Sequence, residues 1–345
     1  MTGPHPATAA VRVAVRAQLE EFPADQLVLV ACSGGADSLA LAEAAAFVAD
    51  HTQRRMGAVV VDHQLFEGSE RVAGSVASQC RDLGLDPVVV ERVVVTGPGG
   101  PESAARDARY AAFDRVARAT GAVAVLLGHT RDDQAEQVLL GLVRGAGARS
   151  LSGMPRTRDR YRRPLLGLSR EQTRAACTAE QLTWWDDPMN DDPGYLRVRA
   201  RRALVDLERD LGPGVAAALA RSADQLREDA DHLDALADAA LATLGDGPWP
   251  VGDLAALPRP VRTRVWRRLA VVAGAPAGQV STRHTEACDA LLTRWHGQGP
   301  VSLPGPLEVT RADGRVSIAP PARVEWPRTG TPDSHPATRA DDKGV

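Results

Sequence analysis

The chain predicts an α/β fold: a doubly wound parallel sheet first, then a second, mainly helical domain. Three observations carry this. Short apolar strand-type runs alternate with helical patterns from residue 27 to about 144, as in parallel sheets with helices on both faces. The first run, Val28 to Ala31, leads into Ser33-Gly34-Gly35-Ala36-Asp37-Ser38 and then directly into an Ala/Leu-rich helical pattern. Near residue 210 the alternation stops and long helical patterns take over.

Taken in order, residues 1–8 read as a flexible tail and 9–20 as a short amphipathic helix. Strand 27–32, helix 38–49, strand 57–62, helix 69–83 and strand 87–95 follow. After a Gly/Pro loop at 97–101 come helix 102–119, strand 122–127 and helix 132–144. Residues 145–200 are less regular, and the first domain is expected to span 9–210. From 214 to 244, Leu226, Ala230, Leu233, Leu236 and Ala240 share one helical face, opposite Glu228, Asp229, Asp231, Asp234 and Asp238. Helices at 258–273 and 281–295 precede a hairpin with strands near 306–311 and 315–319, turning at Ala312-Asp313-Gly314. These elements make a domain of 211–321, and the Pro/Thr/Asp/Arg composition of 322–345 predicts a disordered tail.

Composition sets outer bounds. A chain of 345 residues allows one large domain or two ordinary ones, and 44% hydrophobic content is ample for a core built on Ala, Leu and Val. The net charge of −3 gives no overall nucleic-acid signal. Cys32, Cys80, Cys177 and Cys288 are far apart and form no C-x-x-C, which argues against zinc and disulfide frameworks and fits a reducing, cytoplasmic setting. The N-terminus has no basic-then-apolar segment and no run approaches ~18 apolar residues, so secretion and membrane spanning are not expected.

A glycine turn between a buried strand and a helix presents unpaired N–H groups backed by the helix dipole, and phosphates bind there. Neither G-x-x-x-x-G-K-[ST] nor G-x-G-x-x-G is present. The only lysine is Lys343, so a Walker or Schiff-base lysine is excluded from the folded body. Phosphate charge must instead meet backbone amides, the Ser33 and Ser38 hydroxyls, arginine, histidine and a divalent cation held by Asp37. Ser33, Asp62 and His129 each follow a predicted strand, which sets them on one crevice at the strands' carboxyl ends. Asp62-His63, at a strand tip, can either line a nucleotide or start the next turn. Asp132, Asp133 and Glu136 gather at one end of a helix opening on the crevice. Crowded like charges call for a cation, either magnesium or a substrate ammonium, although acids in a first helical turn also steady its N-terminus.

Nine arginines between 144 and 174 (Arg144, Arg149, Arg156, Arg158, Arg160, Arg162, Arg163, Arg170, Arg174) stand against only Asp159 and Glu171, with Arg197, Arg199, Arg201 and Arg202 following. Such concentration in a slightly acidic chain points to a local polyanion, the alternative being a salt-bridged surface. Arg262, Arg264, Arg267 and Arg268 are read as a basic helix facing the acidic helix before it. Trp184 and Trp185, beside acids and arginines, either pack a loop or hold a base.

The Ser33–Ser38 loop resembles that of the PP-loop (N-type) ATP pyrophosphatases, a Rossmann-like superfamily whose members cleave ATP between its α and β phosphates and adenylate a substrate oxygen. The further motifs resemble the tRNA(Ile)-lysidine synthetase family: Asp62-His63 its V-D-H element, Arg106 to Tyr110 its A-R-x-x-R-Y helix, His129 with Asp132 to Glu136 its H-x-x-D-D-Q-A-E-T box, and Arg163-Pro164-Leu165-Leu166 its R-P-L-L. Trp185-Asp186-Asp187-Pro188 through Asn190, Asp192, Tyr195, Arg197 and Arg199 matches W-x-D-P-S-N-x-D-x-x-Y-x-R-N-R, with Met189 and Val198 departing from it. Thr130 and Gln137 also depart from the family's usual His and Thr. The matched stretch covers roughly 27–202, and the resemblance implies a short form without the extra C-terminal domain of longer members.

That resemblance implies ATP and Mg²⁺ as cofactors, and free L-lysine and a tRNA(Ile) with a CAU anticodon as partners; it admits a homodimer. It implies that Ser33, Gly34, Gly35, Ala36, Asp37, Ser38, Asp62, His63 and His129 bind nucleotide, and that Asp37 and Asp133 hold metal. Asp37, Asp133, Glu136 and Arg109 would act in catalysis, and Asp132, Asp133, Glu136, Asp187, Asn190, Arg197 and Arg199 would bind substrate. The wobble cytidine would be adenylated at its C2 oxygen and AMP displaced by lysine. Two rivals stay in view: a PP-loop tRNA 2-thiolation enzyme, which usually needs clustered cysteines, and a non-catalytic tRNA-binding protein.

Overall fold

A computed structural model describes residues 3–321 apart from 65, 97–100 and 188–191. The chain forms two compact units, Met1–Asp231 and His232–Val345. The division falls inside a long helix, whereas the sequence pattern changes near 210.

The first unit opens with α1 (Pro6–Leu19), β1 (Val28–Ala31), α2 (Ala36–Thr52), β2 (Met56–Asp62), α3 (Ser69–Asp82), β3 (Val88–Arg92), α4 (Pro101–Thr120), β4 (Ala124–Leu127) and α5 (Arg131–Val143). It continues through α6 (Ala148–Leu151), β5 (Thr157–Arg158), β6 (Tyr161–Arg162), a 3-10 turn (Pro164–Gly167), α7 (Arg170–Ala179), α8 (Leu196–Leu211) and into α9 (Val215–Leu244). The strand order is β3-β2-β1-β4-β6-β5, and β5 alone runs antiparallel to its neighbour. The winding reverses between β1 and β4, so a crevice opens at their carboxyl ends. Both faces are covered. Val28, Val30, Ala58, Val60, Ala124 and Leu126 join a core with α1, α2, α3 and α7, while Leu29, Val59, Val125 and Leu127 pack on Phe113, Val116 and Ala117 of α4. Burial on two sides is why these strands read as continuous apolar runs.

Three expectations need correction. The first helix starts at Pro6, not 9; proline suits a first helical position, the His5 side chain accepts the Ala7 N–H, and Ala7 and Thr8 are buried, so residues 6–8 are not tail. Residues 170–179, within the stretch expected to be irregular, form α7 behind a capping box of Ser169 and Gln172. In α9, Ala230 is buried and Leu233 and Ala240 pack on the core as expected, but Leu236 is 42% exposed and Ala237 is the buried residue at that turn.

The second unit contains β7 (Trp249–Pro250), α10 (Val251–Ala256), α11 (Arg259–Val272), α12 (Thr282–Thr293), β8 (Val301–Leu303), β9 (Leu307–Ala312) and β10 (Arg315–Ala319). The expected hairpin is the centre of an antiparallel sheet ordered β7-β10-β9-β8, over a core that includes Trp266, Leu269, Leu291 and Val309. Strands of two or three residues are too short to show alternation in sequence, so β7 and β8 were not foreseen. The basic helix does face the acidic one: Arg264 Nε lies 3.0 Å from Asp234 Oδ1, and Arg268 pairs with Asp234 and Asp238. Arg262 forms a buried pair with Asp289. Among the described residues no helix is long and apolar enough to cross a membrane. The tail expected at 322–345, and Asn190, lie outside the described residues.

Candidate active site

The glycine turn sits between the end of β1 and the start of α2, beside the switch point. Gly34 has φ +87°, and a Cβ there would lie 2.5 Å from Val76 Cγ2 of α3, so both conformation and space demand glycine. Gly35 caps α2 without a side-chain hydrogen bond, so no cap side chain claims the first-turn N–H groups over Ala36 to Ser38. Ser38 Oγ donates to the Gly35 carbonyl (2.9 Å) and accepts the Ser33 N–H (3.1 Å), with Ser33 Oγ 3.2 Å away. Of the two hydroxyls expected at phosphate, Ser38 is thus engaged in bracing the loop. The backbone N–H of Trp185, a residue 41% exposed, donates to the Gly34 carbonyl (2.8 Å), and its ring lies near-parallel to Phe66 at 6.4 Å. At Gly128, just past β4, a Cβ would come 3.1 Å from the Asp37 backbone, so the loop that leads into α5 lies tightly against the first turn of α2.

Carboxylates and arginines interlock across this junction. Asp133 serves the Thr130 capping box, its Oδ2 accepting the Thr130 N–H (2.8 Å) and hydroxyl (3.1 Å). Its Oδ1 takes the Arg170 guanidinium at 2.9 Å, and the same guanidinium reaches Glu136 Oε1 at 3.2 Å and Asp37 Oδ2 at 3.7 Å. The Arg170 N–H donates to Asp132 Oδ2 (2.8 Å), Thr173 donates to Asp37 Oδ1, and Arg201 Nε donates to Glu136 Oε1 (2.9 Å). Burial pushes the Asp37 carboxyl up to about 6, Asp133 adding to the rise while Thr173 and Arg170 oppose it. Burial would raise Asp133 too, but the Arg170 guanidinium and the hydrogen bonds from Thr130 hold it below the ordinary carboxylate range. The expectation that crowded acids await a cation is therefore met in part from within, by Arg170 and Arg201.

On the other wall, burial depresses His129 to about 3, with Arg163, Arg197 and Arg106 contributing and Asp133 opposing, so the ring is neutral. Burial and Arg109 depress His63 to about 4, and Arg109 Nε donates to His63 Nε2 (3.2 Å). Among the described residues, His63 Nδ1, His129 Nδ1 and Arg163 Nε are buried polar atoms with no protein partner, which suits a crevice built to receive a polar ligand. Tyr110 OH takes hydrogen bonds from Arg106 (3.3 Å) and Arg163 (3.2 Å). Asp62 accepts the Gln64 N–H (3.0 Å) from within its own turn. Asp187 is half-buried and Arg197 and Arg199 lie on α8, Arg199 exposed; Val198 is buried beside them, so this departure packs a helix face.

The arginine run divides. Arg162 pairs with Glu21 (2.9 Å), Arg160 with Asp114 (3.3 Å) and Arg174 with Asp186 (3.6 Å), and Arg170 is internal to the carboxylate group. Arg149, Arg156, Arg158 and Arg227 line a cleft of about 840 Å³ together with Asp224, Glu228 and Asp231. Sequence reasoning missed the roles of Arg170, Thr173 and Arg201. It also missed Gln134, whose buried amide bonds both the N–H (2.7 Å) and the carbonyl (3.1 Å) of Met154. The Ser169-x-x-Gln172 spacing was the signal for α7; nothing in a run of arginines marks which one turns inward.

Among the described residues no group of three His, Cys, Asp or Glu converges as metal ligands. Asp37 nonetheless fits magnesium, which takes one or two carboxylates plus substrate phosphates: it stands in the first turn of the cradle helix, side chain 24% exposed. Asp133 fits less well, both its oxygens being engaged by protein donors, although Oδ1, with the Arg170 donor on it, can still accept one further hydrogen bond.

The PP-loop domain family matches residues 9–208, and the TilS substrate binding domain matches 250–317. The chain is 52% identical over 322 residues to the tRNA(Ile)-lysidine synthase of Thermobifida fusca, covering 92% of this chain and 99% of that one. It is 50% identical over 348 residues to that of Streptomyces coelicolor, with the same coverage, and 54% identical over 302 residues to that of Leifsonia xyli, covering 85% and 90%. Among solved structures, the U34-tRNA thiolase NcsA of Methanococcus maripaludis with its [4Fe-4S] cluster superposes with a TM-score of 0.53 at 17% identity, over 64% of this chain and 80% of that one. That likeness shows the fold alone.

Proposed function

The chain belongs to the tRNA(Ile)-lysidine synthase family, and on that premise we propose that the crevice between β1 and β4 ligates free L-lysine to C2 of the wobble cytidine in a CAU anticodon. The observation that carries the reading is the convergence of a lysine-free glycine cradle at the start of α2 with a carboxylate group at the start of α5, brought together where the Gly128 loop packs on Asp37 and joined by Arg170.

ATP phosphates lie on the N–H groups of Gly34 to Ser38 and on Ser33 Oγ, with Arg109 and Arg199 offsetting their charge. Asp37 would hold Mg²⁺, which supplies Lewis-acid polarisation of the phosphates. The C2 oxygen of the cytidine attacks the α-phosphorus and pyrophosphate leaves. The lysine ε-amine then attacks C2, the C2–oxygen bond breaks, and AMP departs with that oxygen. An amine of pKa about 10.4 must lose a proton to attack. Asp133, held low, is a weak base and suits holding the lysine ammonium with Asp132; Glu136 is the candidate to take the proton. Neutral His129 and His63 line the nucleotide wall, and Asp187, Asn190 and Arg197 contact the RNA.

Incubation with ATP, Mg²⁺, labelled lysine and a tRNA(Ile) transcript tests this. Label enters the CAU transcript and not a UAU one; absence of label with an active control enzyme rejects the proposal. A thiolase reading calls for accessible clustered cysteines; Cys32 and Cys80, far apart in sequence, do meet side chain to side chain in the fold, but all four cysteines are free and buried.

A further inference from the structure

Arg170 is not among the residues that touch nucleotide or lysine in the reading above, yet among the described residues no side chain in the crevice holds more of its charged groups. Its guanidinium reaches Asp133 (2.9 Å) and Glu136 (3.2 Å) on α5 and Asp37 (3.7 Å) on α2, and its own N–H holds Asp132 (2.8 Å). One turn further along α7, Thr173 donates to Asp37. The first turn of α7 thus pins the acid that faces the phosphates and the acids that face the amine to a single cation. Side-chain exposure of 18% at Arg170 keeps these interactions out of bulk water, where they would be screened. A planar guanidinium can serve several carboxylates at once, and an ammonium cannot match that fork.

We propose that Arg170 is a positioning residue that couples the two ends of the crevice: ordering Asp37 on the nucleotide steadies Arg170 in the contacts it already makes with the three acids, and Arg170 in turn fixes Asp133 and Glu136 for the incoming lysine. The inference rests on the functional reading above. Such coupling is reciprocal, so nucleotide tightens lysine as much as lysine tightens nucleotide, typically by about 5–150-fold. Its benefit is order: the amine is held well only when ATP is already seated.

The test is the lysine Kd by calorimetry, with and without saturating α,β-methylene-ATP and Mg²⁺. The wild-type ratio falls in that range, R170Q brings it near one, and R170K retains part of it. T173V, which leaves the guanidinium in place and frees only Asp37, lowers the ratio as well, and it carries the test if R170Q does not fold. A folded R170Q or T173V with the wild-type ratio overturns the inference, as does a wild-type protein that makes lysidine but binds lysine equally, or not at all, in both states. A wild-type protein that makes no lysidine overturns the functional reading itself.

Discussion

Replacing Asp37 with asparagine should stabilise the protein while removing its activity. The carboxyl titrates at about 6 in the fold against 3.8 for an ordinary aspartate, chiefly because burial disfavours its charge. Between those values the folded state keeps a proton that the unfolded chain releases, so stability falls as pH rises through the window and stays low above it. The gap of roughly 2 pH units, at about 1.36 kcal/mol each, makes the ionised group cost about 3 kcal/mol at neutral pH. The asparagine amide cannot ionise, and its carbonyl still accepts the Thr173 hydroxyl. For a unit of this size each kcal/mol moves the midpoint by about 2–4 °C, so D37N should melt roughly 6–12 °C higher at pH 8. By pH 4.5 about two-thirds of the gain is gone, because the wild-type carboxyl is then protonated too. Thermal melts of both proteins without ligand, at the two pH values, measure this. A D37N protein less stable than wild type at pH 8, or a gain independent of pH, refutes the reasoning.

Gly34→Ala forces a left-handed residue, costing about 1–2 kcal/mol, and drives a methyl into Val76; nucleotide affinity in a titration should drop at least about tenfold, with part recovered in G34A/V76A. In Glu136→Gln, pyrophosphate release on tRNA should persist while lysine transfer slows by roughly 10²–10⁴, read by single-turnover assays of each half-reaction. Replacing Cys32, Cys80, Cys177 and Cys288 with alanine should leave lysidine formation intact; loss of activity in a folded variant would favour sulfur chemistry.

The parallel core was legible because its warrants are local. Strand tips at Ser33, Asp62 and His129 lie at one end of the sheet since each ends an apolar run that two faces of the fold bury. The acids on α5 were legible as a group but not as a network. Their counter-charge comes from Arg170 and Arg201, more than thirty residues away, and sequence spacing has no access to such pairing. The arginine run left two readings open, a polyanion or a salt-bridged surface, for the same reason: Arg162 and Arg170, which pair with carboxylates, look like their neighbours until α7 and β6 are placed. The Asp133 role shows the opposite limit. A first-turn acid three residues after threonine is a capping box on local grounds, and it is also a member of the crevice.

A structure with ATP and lysine both bound tests the proposed chemistry most directly. The triphosphate should lie on the N–H groups of Gly34 to Ser38, with the ε-amine between Asp133 and Glu136. Nucleotide seated away from that turn, or lysine bound without touching either acid, would contradict it.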